Sequence, residues 1–319
     1  MTAPDQAAPP TALAANVHAF GGPEVIRLEE TPVAVPGAEQ VLVRVHAAGV
    51  GPWDGWIRAG RSALPQPLPL TLGSDFSGVA IALGSNVKDL AAGDEVFGVT
   101  NARFTGAYAQ YALAERRMIT RRPAGLGALD AASFPVIAVT ALQMLEQAGA
   151  APGSRVLLHG ATGSVGGYAV QLARTLGVPF AATARSTDDA VLDALGVVDR
   201  IDLASDGPPA FDAALDLVGG ETQARLLGRV RDGGRLISAV SPPEATMAGS
   251  RAIDARFILV DVNSAALDRL AEGHLRGELT ARVGEVLPLR EARRAHEMLE
   301  GGAHRSGKIM LQMEGENDR

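Results

Sequence analysis

The chain contains no cysteine and only two lysines, Lys88 and Lys308. Without cysteine there is no disulfide, no thiolate nucleophile and no thiolate-ligated zinc. Long apolar runs are missing too: no stretch approaches about 18 uninterrupted apolar residues, so the sequence predicts no membrane span. Positive charge is in deficit. Lys and Arg total 29 against 36 Asp and Glu, a formal charge of −7, and no basic cluster is long enough to follow a phosphate backbone. A nucleic-acid partner is therefore not expected. The N-terminal "MTAPDQAAPPTALAA" has no Lys or Arg and is broken by three prolines, unlike a signal peptide. It reads as a flexible tail over residues 1–15, and a cytoplasmic location follows by default.

At 319 residues, 47% hydrophobic and 20% charged, the chain has the composition of a globular protein of two domains. From Val17 to about Arg122 short runs such as "VLVRVHAAGV", "DFSGVAIALG", "DEVFGV" and "AYAQYALA" are punctuated by Gly, Pro and Asp, which predicts a β-rich domain. From about Pro123 helical periods alternate with brief strands, "RVLLHG", "VPFAATA", "FDAALDLV", "GRLISAV" and "RFILVDV", the texture of a helix-covered parallel sheet. After Val262 come two amphipathic helices, "SAALDRLAEGHLRGEL" and "REARRAHEMLEGG", and a terminal strand "GKIMLQM". This last part is expected to return to the first domain. The boundaries read as 16–125 and 263–319 for the β-rich domain and 126–262 for the parallel-sheet domain.

"RVLLHGATGSVG" sets an apolar strand before Gly160, Gly163 and Gly166, with a helix after them whose Val165, Ala169, Leu172, Ala173 and Leu176 share one face. Such glycines tighten the turn and let backbone N–H groups approach a pyrophosphate at a helix N-terminus. The plain alternative is a tight strand-to-helix turn with no ligand. At the end of the next strand the chain reads Thr183-Ala184-Arg185-Ser186, without the carboxylate that would hold a ribose 2′-hydroxyl. Arg185 offers forked donors to a 2′-phosphate and Ser186 a hydroxyl, which favours NADP; the alternative is a solvated Arg185 paired with Asp188 or Asp189.

Both tryptophans lie in "GVGPWDGW", residues 49–56, where they either plug a core or line a pocket. The ordered stretches "AAGVGPWDGWIRAG", "LPLTLGSDFSGVAIALGSNVKDLAAGDEVFG", "GAYAQYALA", "FPVIAVTAL", "HGATGSVGGYAVQLAR", "DLVGGETQ" and "SGKIML" carry a resemblance. From about Val17 to Met313 the sequence is similar to the zinc-independent quinone oxidoreductases of the medium-chain dehydrogenase/reductase superfamily. The resemblance implies an α/β protein: a GroES-like β-rich catalytic domain made from both chain ends, and a Rossmann doubly wound parallel-sheet domain. It further implies NADPH in the interdomain cleft and a homodimer, formed through the edge strand near Phe257 to Val262.

Carried over by position, Thr140 would touch the nicotinamide ribose, and Gly160 and Gly163 to Val165, with Ser164 between, the pyrophosphate. Arg185 and Ser186 would meet the adenosine phosphate, Leu217, Val218, Val240 and Phe257 would flank the nicotinamide half, and Lys308 would close the site. A solvated Lys308 in a loop is the alternative. The departures are equally specific. Gly51 stands where many relatives have Asn, acids around Asp188 and Leu203 stand where relatives place Lys and Tyr, and Arg61 and Ser62 stand where some carry Tyr.

Zinc-dependent members of the superfamily resemble this chain in the same stretches but have Cys at Gly51 and a His-Glu pair at Ser74-Asp75. None of the six histidines pairs at ligand spacing, and His159 reads as a hydrogen-bonded core residue. No metal is expected. Without one, hydride is more easily accepted by a quinone or enone, whose charge spreads into a phenolate or enolate that a few donors can hold. The substrate pocket is expected to include Gly51, Trp53, Asp54, Trp56, Arg61 and Tyr108. In it Trp53 and Trp56 are planar walls, Asp54 anchors the backbone, Gly51 leaves open space, and Tyr108 or Tyr111 is a candidate proton donor beside solvent. Two other readings stay open: an enoyl reductase acting on a larger biosynthetic intermediate, and a low-turnover nucleotide-binding sensor or structural protein.

Overall fold

The computed structural model describes residues 10–184, 189–205, 207–243, 251–301 and 307–313. The chain forms two compact units, one of Met1–Val136, Val262–Leu275 and Thr280–Arg319, the other of Ile137–Asp261 and Arg276–Leu279.

In the first unit, Gln40–Val50 is the organising strand. Its Val41, Val43, Val45, Ala47 and Ala48 are all buried, and it pairs antiparallel with Asp75–Leu83, Tyr111–Glu115 and the C-terminal Lys308–Gln312. The sheet runs Val283–Pro288, Lys308–Gln312, Gln40–Val50, Asp75–Leu83, Glu95–Val99, Ile119–Arg121. The C-terminal strand thus enters the first unit's sheet, because "KIML" is buried throughout and a strand of that kind needs a neighbour on each side. Its register places Ile309 opposite Val50 and Met310 opposite Gly49.

Three local expectations are corrected. The stretch expected as tail contains the strand Thr11–Val17, antiparallel to Arg27–Pro32, with Ala12, Ala14, Ala15 and Val17 buried. Alanine is a poor strand former alone, but a paired neighbour decides the outcome. "AYAQYALA" is a strand only from Tyr111; Tyr108 lies in the preceding bend. The segment around Asp54, for which no helix was read, is the helix Pro52–Arg58, started by proline at its first position and by Asp54, whose Oδ2 accepts the Gly51 N–H at 2.8 Å.

The second unit is a six-stranded parallel sheet in the order Arg200–Ile201, Phe180–Thr183, Val156–His159, Phe211–Asp216, Val230–Ser238, Asp254–Phe257. This order reverses at Val156–His159, which sets the strand ends and the turns after them along one crest. Leu157, Ala181, Phe211, Ala214, Leu226, Leu227 and Leu236 form its core. The expected strand "RFILVDV" ends at Phe257. Its neighbour's pairing ends at Ser238, opposite Phe257; beyond it the Ile258 N–H still donates to the Ser238 carbonyl, and the Asp261 backbone is held by the Gln143 side chain. Among the described residues no helix is long and apolar enough to cross a membrane.

Candidate active site

In the first unit, Gly49 on the organising strand and Gly51, the extended N-cap just past its end, leave a side-chain-free floor. A Cβ on Gly49 would lie 2.9 Å from Cε of Lys308 and 2.7 Å from the Ala132 carbonyl oxygen. A Cβ on Gly51 would lie 2.3, 2.4 and 2.5 Å from Cη2, Cζ3 and Cζ2 of Trp53, so the glycine packs against a face of that ring. The glycines are therefore the clearance for two larger side chains. The space expected to be open at Gly51 is filled by the Trp53 indole, which is a correction to the pocket read from sequence.

The two side chains are locked together. Lys308 Nζ sits 4.1 Å from the centroid of the Trp53 ring and donates to Asp75 Oδ2 at 3.1 Å, while Asp75 Oδ1 accepts the Val136 N–H at 3.1 Å. Trp53 Nε1 donates to Ser74 Oγ at 3.1 Å. Lys308 is 4% exposed, so the solvated alternative is overturned. Burial pushes the Asp75 carboxyl up to about 6, with the Lys308 ammonium pulling the other way.

Beside this pair, Asp54 Oδ2 accepts from the Tyr108 hydroxyl at 3.0 Å as well as from Gly51, and its buried Oδ1 has no hydrogen-bond partner among the described residues. Burial pushes Asp54 up to about 7 and Tyr108 well above the usual phenol range. Asp54 anchors the backbone as expected. Tyr108, a candidate proton donor by sequence, is fully buried and its hydroxyl donates to Asp54. Trp56 is 41% exposed and stands apart from this hydrogen-bonded set, and Arg61 is exposed after the helix.

The helix carrying Trp53 and Asp54 is pinned at its other end by Arg58, a residue the sequence reading missed. Arg58 is 1% exposed; its guanidinium donates to the Gly21 carbonyl at 3.1 Å, to His296 Nδ1 at 3.0 Å and to Glu300. Burial, and then the Arg58 charge, push His296 down to about 3, so the ring is neutral and accepts through Nδ1.

In the second unit the crest brings most of the expected coenzyme residues together. Gly160 has φ +92°, and a Cβ there would lie 3.1 Å from both Leu217 and Val218; a Cβ on Gly219 would lie 3.1 Å from Val240. Gly163 is the N-cap of Ser164–Thr175, no side chain caps that end, and Gly163 and Ser164 are exposed. Gly166 touches the turn so closely that a Cβ would lie 2.6 Å from Ala161 Cα. The exposed amides of an uncapped helix start beside a crest of apolar side chains fit a dinucleotide's pyrophosphate and ring.

Phe257 closes the far end of the crest, and Thr140 is buried in the helix Pro135–Gln147. His159 is a hydrogen-bonded crest residue, its ring nitrogens 2.7 Å from Thr183 Oγ1 and 3.1 Å from Thr222 Oγ1. Arg185 and Ser186 lie outside the described residues. Asp216 was missed: its carboxylate accepts from the Val218 and Gly219 amides at 3.1 and 2.8 Å and from Gln223 and Ser238 at 2.8 and 2.9 Å, shaping the turn that carries Leu217 and Val218. Replacing Gly166 by Ala is expected to displace the backbone of the Gly160–Ala161 turn and weaken nicotinamide-coenzyme binding about 5-fold or more, since overpacking against backbone costs about 1–3 kcal/mol. A nicotinamide-fluorescence titration measures it, and unchanged affinity would refute the assignment of the turn.

Comparison with known proteins gives the family. The alcohol dehydrogenase GroES-like domain model matches residues 37–124 and the zinc-binding dehydrogenase model residues 178–311. The quinone oxidoreductase of Homo sapiens is 31% identical over 93% of this chain and 97% of its own length. The chain belongs to the quinone oxidoreductases of the medium-chain dehydrogenase/reductase superfamily. A quinone oxidoreductase structure from Coxiella burnetii is 33% identical and covers 95% of this chain and 100% of its own, with a TM-score of 0.86. The Escherichia coli quinone oxidoreductase solved with NADPH is 24% identical, covers 94% of this chain and 100% of its own, and matches the fold with a TM-score of 0.83. This quinone oxidoreductase family member is an oxidoreductase of a small-molecule substrate, and its crest suits a nicotinamide coenzyme.

The second matching model is named for zinc, and the chain's residues do not fit that ion. Gly51 has no donor, Ser74 Oγ holds an indole N–H, and Asp75 already holds an ammonium group. Among the described residues no group of three or more His, Cys, Asp or Glu is placed to hold a metal. The space beside Gly51 is taken by the Trp53 ring, and Asp75 holds the Lys308 ammonium.

Proposed function

We propose that this protein is an NADPH-dependent reductase that delivers hydride to a quinone or an α,β-unsaturated carbonyl compound without a metal. The observation that carries this reading is the filled centre of the first unit, where Trp53 and Lys308 leave no donor set for a Lewis acid. A simple ketone would then gather charge on one oxygen with nothing to hold it, whereas a conjugated acceptor disperses it.

When bound, the reduced coenzyme supplies the hydride. The amides at Gly163 to Val165 would hold its pyrophosphate, and Leu217, Val218 and Val240 would give its ring an apolar bed. Trp53 receives the acceptor. The buried hydroxyl of Tyr108 and the buried carboxyl of Asp54 keep the helix Pro52–Arg58 in place rather than deliver a proton. Solvent supplies that proton, so that acceptor, NADPH and one proton give reduced acceptor and NADP. Arg185 is the residue on which the preference for NADP over NAD rests.

The test is a panel of 1,2- and 1,4-quinones, simple enones and simple ketones, followed at the nicotinamide band with NADPH and NADH in parallel. Steady oxidation of NADPH with quinones or enones and none with ketones is expected. Turnover of ketones at comparable rates would overturn the metal-free reading, and faster turnover with NADH would overturn the role of Arg185.

A further inference from the structure

The carboxylate of Asp216 stands at the end of the strand Phe211–Asp216, fully buried, directly behind the turn that carries Leu217 and Val218. Its Oδ1 accepts the Val218 and Gly219 amides at 3.1 and 2.8 Å, and its Oδ2 accepts Gln223 Nε2 at 2.8 Å and the Ser238 hydroxyl at 2.9 Å. Ser238 Oγ in turn accepts the Val240 and Ser241 amides at 3.3 Å each, so one carboxylate fixes the two turns that hold Val218 and Val240. All four groups that meet it are neutral donors. Both oxygens are therefore engaged as acceptors, and no ammonium or guanidinium stands among the groups that share the buried charge. A neutral acceptor would hold the same amides at a lower desolvation cost, so bracing the turns does not by itself account for a carboxylate here. What lies on the other side of the turn does. With its amide directed inward to Asp216, Val218 presents its side chain to the surface, 51% exposed although apolar.

From this geometry we infer that Asp216 is a positioning residue with an electrostatic role: its buried negative charge, acting through the turn at Val218, favours the coenzyme with a positively charged nicotinamide ring and so eases the departure of hydride. The inference rests on the reading above that Leu217, Val218 and Val240 bed that ring, and it deepens that reading. Hydride leaves the reduced ring with two electrons, so the ring is oxidised and keeps one positive charge, while the acceptor is reduced and takes its proton from solvent. A fixed anion beneath an apolar cover acts on the developing charge with little screening by water. It also needs no rearrangement at the moment of transfer.

The ratio of the dissociation constants of NADP and NADPH tests this without turnover. NADPH is titrated by its nicotinamide fluorescence, and NADP and 2′,5′-ADP, which has no nicotinamide, by displacing it. Asp216→Asn keeps an acceptor for the turn's amides and removes the charge. It is expected to raise the NADP-to-NADPH ratio about 10-fold, less than a charge in direct contact would give, with 2′,5′-ADP within about 3-fold of wild type. Gln223→Leu keeps the charge and removes only its hydrogen bonds, and is expected to leave the ratio within about 2-fold; a shift as large as that of Asp216→Asn would overturn the electrostatic role. Equal weakening of NADP and NADPH by Asp216→Asn would also overturn it, leaving Asp216 a support of the turn only. Should the Asn variant fail to fold, Ser241→Lys decides. Ser241 is half-buried with its Oγ 3.2 Å from Gln223 Nε2, so an ammonium there offsets the same charge and is expected to raise the ratio at least about 3-fold, an unmoved ratio overturning the inference. A wild-type protein that binds neither coenzyme form refutes the coenzyme reading itself, whereas binding of both with an unmoved ratio in the variants refutes the inference alone.

Discussion

Replacing Lys308 by Met is expected to destabilise the first unit by about 3–5 kcal/mol, because it leaves the Asp75 carboxylate buried with its counter-charge removed. Asp75 is fully buried and Lys308 is 4% exposed, so neither charge is relieved by water. The same substitution strips the cation from the face of Trp53. The double variant Lys308→Met, Asp75→Leu is expected to recover most of the loss, since apolar side chains of similar volume replace both buried charges together. Urea unfolding followed by tryptophan emission reads the right unit, because Trp53 and Trp56 both belong to it. A single variant within about 1 kcal/mol of wild type would show that the pair is not the closed contact described.

The second large effect is a stability that falls as pH rises through neutrality, traceable to Asp54. Its carboxyl, raised to about 7 by burial, keeps a proton in the folded state that the unfolded chain releases near its ordinary value of 3.8. Between those values the native state binds more protons, so its stability is highest below about pH 4 as far as this group is concerned and is lost as pH rises through about 7. At about 1.4 kcal/mol per pH unit, the loss from Asp54 is on the order of 4 kcal/mol between pH 4 and 8. The groups facing it are Lys308, Asp75, Tyr108 and the Gly51 amide, and Asp75, raised to about 6, acts with the same sign. His296, pushed down to about 3, and His46, also lowered, give the opposite slope below pH 6.5.

The difference between wild type and Asp54→Asn therefore isolates the effect. The Asn variant keeps an acceptor for Gly51 and Tyr108 without a charge, and is expected to be the more stable protein at pH 8 and to lose this slope. Asp54→Ala strands both donors and is expected to be less stable than wild type at pH 5, by about 1–3 kcal/mol. Parallel profiles for wild type and Asp54→Asn would refute a protonated Asp54.

Much of the fold was legible because its signals are local. Strand, glycine turn and helix at 155–176 announce themselves by period and by glycine spacing, and the parallel sheet follows from the alternation of such units. The errors arose where pairing overrides local preference: an alanine-rich strand read as a tail, and a strand read past Phe257, where the ladder with Val230–Ser238 stops. In the site, Trp53 was singled out by its residue type and by the resemblance, but its contacts were not foreseeable. Tyr108 was taken for a candidate proton donor because a phenol's availability depends on what its hydroxyl meets, and here it meets Asp54. Arg58 and Asp216 were overlooked because a charged residue inside an apolar run carries no mark of whether its partners await it in the core.

The amino-acid sequence by itself marked most strands and helices of the parallel-sheet unit and the glycine turn at 160–166, and excluded cysteine chemistry, since each of these depends on neighbours within a few residues. Only the tertiary structure decided what the two glycines of "GVGPW" are for. Their clearance is taken up by an indole two residues on and by an ammonium group more than 250 residues away, brought in by the strand Lys308–Gln312 beside Gln40–Val50. A missing side chain shows its purpose only when the atoms filling the space are known, and those come from pairing between distant strands, which no local pattern encodes.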